Sequence, residues 1–162
     1  MDNSWIFDKT DPIQKARAET IQAEWGELGV KVNLTGLELT VQIKRLRSNQ
    51  FDLYFWYNYG APYDPHSFIN VIAKKSFGIS EVLSALPMKK DLDQQVHEAL
   101  SSTDETKRQE LYASILKTLQ EQSAIVPISY IKKTAVYQKK ITNFVFPANR
   151  DENPFEGIEI GK

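Results

Sequence analysis

Between Trp5 and Tyr59 the hydrophobic pattern changes period repeatedly, and that alternation restricts the folds open to this chain. Trp5-Ile6-Phe7 reads as the stub of a strand, and Val30, Val32 and Leu34 alternate as a second. Phe51, Leu53, Phe55, Tyr57 and Tyr59 share one face of a third, over residues 51–59. Between the first two strands, Ala18, Ile21, Trp25 and Leu28 recur at helical spacing. Asp11 stands where an N-cap accepts orphan amides, Pro12 suits the first turn, and Gly29 suits the stop. Residues 40–47 predict a second helix, with Val41, Ile43 and Leu46 as its core positions. Parallel strands cannot be joined by a tight turn, so strand–helix–strand–helix–strand predicts an α/β sheet with right-handed crossovers.

The remainder is richer in helix signals. A helix is expected over residues 65–72, a surface loop over residues 74–88, and a further helix marked by Leu92, Val96, Ala99 and Leu100. Thr103, Asp104 and Glu105 open a longer helix, since acids in the first turn suit the helix dipole, with Leu111, Ile115, Leu116 and Leu119 as its apolar stripe. Residues 125–131 predict a strand at an edge or with a bulge, because Pro127 withholds a ladder donor. Residues 134–138 and 141–146 predict short strands, and the tail from Pro147 reads as irregular.

Bulk chemistry removes several function classes. The 20 basic and 21 acidic residues nearly cancel without forming a basic stripe, which argues against a nucleic-acid partner. With no cysteine, disulfides and thiolate catalysis are excluded. No apolar run reaches ~18 residues, and the N-terminus has no basic-then-apolar export signal. There is no Gly-x-Ser-x-Gly elbow, His-Glu-x-x-His pair or phosphate-cradling loop, so the expectation is a protein that is not an enzyme.

The chemistry-bearing segment is Tyr59-Gly60-Ala61-Pro62-Tyr63-Asp64-Pro65-His66. Gly60 and Pro62 break the aromatic strand, so Tyr59 and Tyr63, with Tyr57 behind them, can leave the sheet at its carboxyl edge, where open α/β sheets bind ligands. Asp64 serves as a helix cap or as a ligand-facing acid. His66 is a candidate metal ligand, although its place in the first helical turn suits a structural role. His97, among Asp and Gln residues, reads as surface. The lysine pairs 89–90, 132–133 and 139–140 read as solvated faces.

This segment resembles the hinge region of the nickel/dipeptide/oligopeptide-binding family of ABC-transporter extracellular solute-binding proteins (family 5), and it is most similar to the nickel-binding branch. The stretches KARAETIQAEWGELGVKVNL, DETKRQELYASILKTLQEQSAIVPISY and ITNF extend the resemblance from about Asp8 to about Ile160. The long middle stretch is common to peptide and nickel binders, whereas Gly-Ala-Pro-Tyr-Asp-Pro-His points to nickel. The resemblance implies the C-terminal portion of a longer, two-lobed protein. Its fold would be a type II periplasmic-binding-protein-like lobe, a mixed sheet flanked by helices. Residues 1–146 would form the lobe, and residues 147–162 a tail that returns to the missing N-terminal lobe.

The resemblance also implies a ligand, with no intrinsic cofactor: nickel, carried as a complex with a small chelator, or alternatively a di- or oligopeptide. Its partners would be ABC permease membrane subunits and the first lobe, with self-association through any lobe surface left uncovered. The setting would be periplasmic or extracellular, membrane-anchored on the outer face in Gram-positive cells, with the export signal upstream of this chain. Tyr59 and Tyr63 occupy the family's pocket-lining aromatic positions. The position of its metal-contacting histidine is Phe77 here, a departure that weakens direct histidine–nickel ligation. A reading from outside the family is a stand-alone, non-catalytic interaction module.

Overall fold

The computed structural model describes residues 3–57, 64–75, 78–130, 134–147 and 155–161. The chain packs as two compact units, Met1–Tyr57 with Val71–Gln94, and Asn58–Asn70 with Gln95–Lys162.

In the first unit, β1 (Asn3–Asp8) leads through α1 (Pro12–Glu27) to β2 (Val32–Leu37), and α2 (Leu39–Arg47) leads to β3 (Leu53–Tyr54). The sheet order is β2-β1-β3, with both pairings parallel. The first strand is therefore central, and Trp5, Ile6 and Phe7 are buried in succession, as expected of a strand covered on both faces. Trp5 stacks at a tilt on Trp25 of α1 and on Phe55 just past β3, with ring centroids 5.9 and 4.9 Å away.

Two glutamines join helix to sheet in ways that hydrophobic periodicity does not predict. Buried Gln14 accepts the Asp8 amide through Oε1 at 3.1 Å, and Gln22 Nε2 donates to the Val32 carbonyl at 2.6 Å. The α1 cap is as expected: Asp11 accepts the amides of Ile13 and Gln14 at 2.9 and 3.1 Å. Beyond the helix, Gly29 takes φ +80°, a conformation glycine adopts without a Cβ penalty.

Several expected positions in this unit differ. Leu28 lies beyond the last turn of α1 and is 79% exposed, and Val30 precedes β2 rather than joining it. On α2 the buried face carries Gln42 and Leu46, so Val41 points outward. Among the described residues 51–57 of the strand expected over residues 51–59, only Leu53 and Tyr54 are paired. Phe55 instead packs on Trp5, and Tyr57 reaches the α1 cap, so the chain leaves the ladder to satisfy side chains.

A loop was expected over residues 74–88, but α4 (Ile79–Ser84) occupies part of it and buries Ile79 and Leu83. Its start depends on Gly78, at φ +88° and ψ −64°, whose amide donates to Glu81 Oε2 at 2.5 Å. A Cβ on Gly78 would lie 2.5 Å from the Tyr54 hydroxyl.

In the second unit, α3 (Pro65–Ala73) and α5 (Lys89–Ser101) contribute Ile69, Val96 and Ala99 to the core, together with α6 (Glu105–Glu121). Asp104 caps α6 by accepting the Lys107 amide at 3.1 Å. The inward stripe of α6 is Tyr112, Ile115 and Leu119, and Leu116 is 42% exposed. The expected stripe was rotated because Tyr112 carries a hydroxyl, and its burial depends on partners that hydropathy cannot see.

Described residues 125–130 and 134–138 form no strand. Of residues 141–146, only Ile141–Thr142 (β4) is paired, antiparallel to Glu159–Ile160 (β5) in the tail expected to be irregular. An extended segment becomes a strand only when a neighbour accepts its ladder bonds.

Gly78→Ala tests the turn before α4. Positive φ together with the Tyr54 clash should destabilise the protein by at least about 1–3 kcal/mol, read as a lower urea midpoint. Removing the hydroxyl with Tyr54→Phe should recover only part of that loss, because the backbone strain remains.

Candidate functional site at the carboxyl edge of the sheet

Strand order β2-β1-β3 means that the chain leaves β1 in one direction to reach β2 and returns past it to reach β3. The carboxyl ends of β1 and β3 therefore flank a topological switch point, where open α/β sheets leave a crevice for ligands. Tyr57 lies just past β3, half-buried, and its hydroxyl donates to Asp11 Oδ2 at 3.1 Å.

The two groups shift one another's ionisation. Burial would raise the Asp11 carboxyl, but hydrogen bonds from the Gln14 amide, the Tyr57 hydroxyl and the Ile13 amide outweigh it, and the net shift is downward. Tyr57 is shifted upward, first by burial and then by its bond to Asp11 and that carboxylate's charge. Tyr57, expected to face ligand, thus has its polar end committed to the α1 cap. Tyr59 and Tyr63 lie outside the described residues, as does Phe77.

Asp64 and His66 are brought together in the second unit. Exposed Asp64 accepts the His66 amide through Oδ1 at 2.9 Å, and its carbonyl accepts the Ser67 hydroxyl at 2.9 Å, so it organises the start of α3. The half-buried His66 ring places Nδ1 3.0 Å from the hydroxyl of Tyr112, which is buried on α6. Arg108, one turn earlier on α6, donates to the same hydroxyl from Nε and Nη2 at 3.2 and 2.9 Å. Its guanidinium carbon is 5.6 Å from the Tyr112 ring centroid, and its side chain also pairs with Glu105 at 3.0 Å. The Tyr112 bond is the main cause of an upward shift in Arg108.

Tyr112 and Arg108 did not stand out in the sequence. Their spacing of four residues, which places them on one helical face, was the available signal. His97 is exposed, as expected. Among the described residues, no three His, Cys, Asp or Glu side chains cluster as a metal site. A surface groove lined by Thr40, Ile43, Lys44, Arg47 and Ser48 of α2 and its cap contains none of the expected site residues.

Residues 4–78 match the family model for the bacterial extracellular solute-binding proteins, family 5 Middle. The nickel-binding periplasmic protein of Escherichia coli K12 is 35% identical over 153 residues, 94% of this chain and 29% of that protein. Di/tripeptide-binding protein 3 of Pseudomonas aeruginosa is 29% identical over 91% of this chain and 27% of its own length. The crystal structure of NikA from Brucella suis in complex with Fe(III)-EDTA superposes with a TM-score of 0.91 at 35% identity, covering 98% of this chain and 32% of that one. The chain thus spans about three-tenths of the length of these relatives. Among the described residues, no helix is long and apolar enough to cross a membrane.

Asp11→Ala should cost about 1 kcal/mol at neutral pH, the usual value of such a cap. Because the folded-state pKa is lowered, the carboxylate's contribution is complete above its unfolded value of ~3.9 and fades as pH falls through the lower folded value. The gap between wild type and Asp11→Ala in urea midpoints should therefore narrow as pH falls below about 4. The likeness in sequence and in fold leads to one conclusion: residues 4–78 match the family 5 extracellular solute-binding proteins, and the chain is similar to a nickel-binding member of that kind along nearly its whole length.

Proposed function

We propose that this chain is the C-terminal portion of an ABC-transporter substrate-binding protein that captures nickel as a chelator complex and delivers it to a membrane permease. The observation that carries this reading is the 35% identity over 94% of the chain to a nickel-binding periplasmic protein. It is joined by a TM-score of 0.91 to a relative whose crystal structure holds a chelated metal, Fe(III)-EDTA. A metal already wrapped by carboxylates needs few protein donors, which suits a chain with two histidines, no cysteine and Phe77 in place of the family's histidine. The work is non-catalytic and takes place outside the cytoplasmic membrane, as the names of the periplasmic relatives suggest.

In this reading Tyr59 and Tyr63 cover the apolar edges of the chelate, with Tyr57 a further candidate contact, and Asp64 and His66 shape the helix that follows. Residues 1–146 act as one lobe, residues 147–162 dock on the other, and closure of the two excludes water from the ligand. Exposed Val126, Ile128, Val145, Phe146 and Phe155 support apolar docking by the C-terminal part of the chain, and self-association of the isolated chain through the same residues. A peptide ligand is the second reading, favoured by the 29% identity to di/tripeptide-binding protein 3 of Pseudomonas aeruginosa.

Calorimetry separates these readings. In the full-length protein, Ni²⁺ with histidine or citrate should bind and a dipeptide should not, and Tyr63→Ala should weaken chelate binding by about 1–3 kcal/mol with little loss of stability. The isolated chain should bind free Ni²⁺ no better than weakly. Sub-micromolar binding by that chain would place the whole metal site within it.

A further inference from the structure

His66 is the one histidine of the tyrosine-rich motif, and its chemistry depends on which ring nitrogen carries the proton. Its Nδ1 lies 3.0 Å from the Tyr112 hydroxyl. That oxygen already receives two N–H bonds from Arg108, at 3.2 and 2.9 Å. A guanidinium can only donate, and a phenolic oxygen has two acceptor sites and one proton. With Arg108 already donating twice to that oxygen, the Tyr112 proton has His66 Nδ1 as its acceptor. A proton on Nδ1 would instead crowd a third donor onto the oxygen and leave the hydroxyl proton without a partner in this cluster. In the neutral ring the proton therefore belongs on Nε2.

We propose that Tyr112 and Arg108 are positioning residues that hold His66 as an Nε2–H hydrogen-bond donor, directed to anionic oxygen rather than to a metal ion. Tyr112 is 2% exposed, so its hydroxyl is fixed by packing as well as by Arg108. Asp64 fixes the other end of the arrangement by accepting the His66 amide at 2.9 Å. His66 is half-buried rather than fully enclosed by the core. A ring with Nδ1 engaged and Nε2 protonated offers no lone pair to nickel, but it suits a carboxylate oxygen on a chelator or at a peptide terminus. The role toward ligand rests on the binding-protein reading, whereas the tautomer is a property of the ligand-free chain.

Long-range ¹H–¹⁵N correlation on ¹⁵N-histidine-labelled protein, at alkaline pH where imidazole is neutral, tests the tautomer directly. The chain has two histidines, and exposed His97 serves as an internal reference. The expected result is His66 with Nε2 protonated and Nδ1 bare. Tyr112→Phe, which keeps the packed ring, should shift His66 to a mixture, and Arg108→Met should shift it part of the way. A wild-type ring protonated on Nδ1, or an unchanged His66 signal in Tyr112→Phe, would overturn the proposal.

Two additions to the same samples test the role. Citrate should move the His66 Nε2 resonance, and Ni²⁺ alone should broaden His66 no more than His97. Selective broadening of His66 by Ni²⁺ would make it a metal ligand and overturn the donor role. The expected tautomer without any response to citrate would leave the Tyr112–Arg108 arrangement standing and count against the binding reading.

Discussion

Burial of the central strand is the constraint on which the first unit depends. Trp5, Ile6 and Phe7 are taken out of water in sequence, and each large apolar side chain so removed contributes about 1.5–3 kcal/mol. A strand can be buried this deeply only if both edges are paired and both faces covered. Pairing comes from β2 and β3, and Trp25 of α1 and Phe55 cover Trp5. The crossovers follow, because parallel neighbours must be reached by helices. So does the switch point between the carboxyl ends of β1 and β3, because the chain leaves β1 to reach β2 and returns past it to reach β3.

Polar groups then fix what the apolar core leaves free. Gln14 and Gln22 tie helix α1 to strand carbonyl and amide groups that would otherwise be unsatisfied near the sheet. Asp11 serves both the α1 cap and Tyr57, so one carboxylate sets the helix start and holds the chain just past β3. In the second unit Tyr112 has the corresponding place: buried by its ring, it uses its hydroxyl to connect the start of α3 with Arg108. Each expected ligand residue that can be described is thus fixed through a polar neighbour. Pocket-forming side chains are held in this way when binding requires a preorganised shape.

Seven relatives match this chain strongly, and both nickel and di/tripeptide binders are among them. One scaffold carrying metal chelates and peptides is physically reasonable, because both ligands present carboxylates and apolar edges. Discrimination among those relatives then rests on individual side chains rather than on the fold.

The sequence by itself determined the order β1-α1-β2-α2-β3, the cap at Asp11 and the likeness to family 5, because period, capping chemistry and motif spacing are local properties. It also marked the tyrosine-rich segment as the place to look for a ligand. Only the tertiary structure decided which residues face inward at the helix ends and how long each strand is. Leu28 and Val41 are apolar yet exposed, and Gln14 and Gln42 are polar yet buried, since burial depends on what packs opposite. The extended segments after Ala124 carry strand-like composition but little ladder, because a strand exists only with a partner. The link from His66 to Tyr112 and Arg108 spans 46 positions between its histidine and its tyrosine. No local pattern encodes a hydrogen bond between side chains so far apart in the chain; folding alone brings them together.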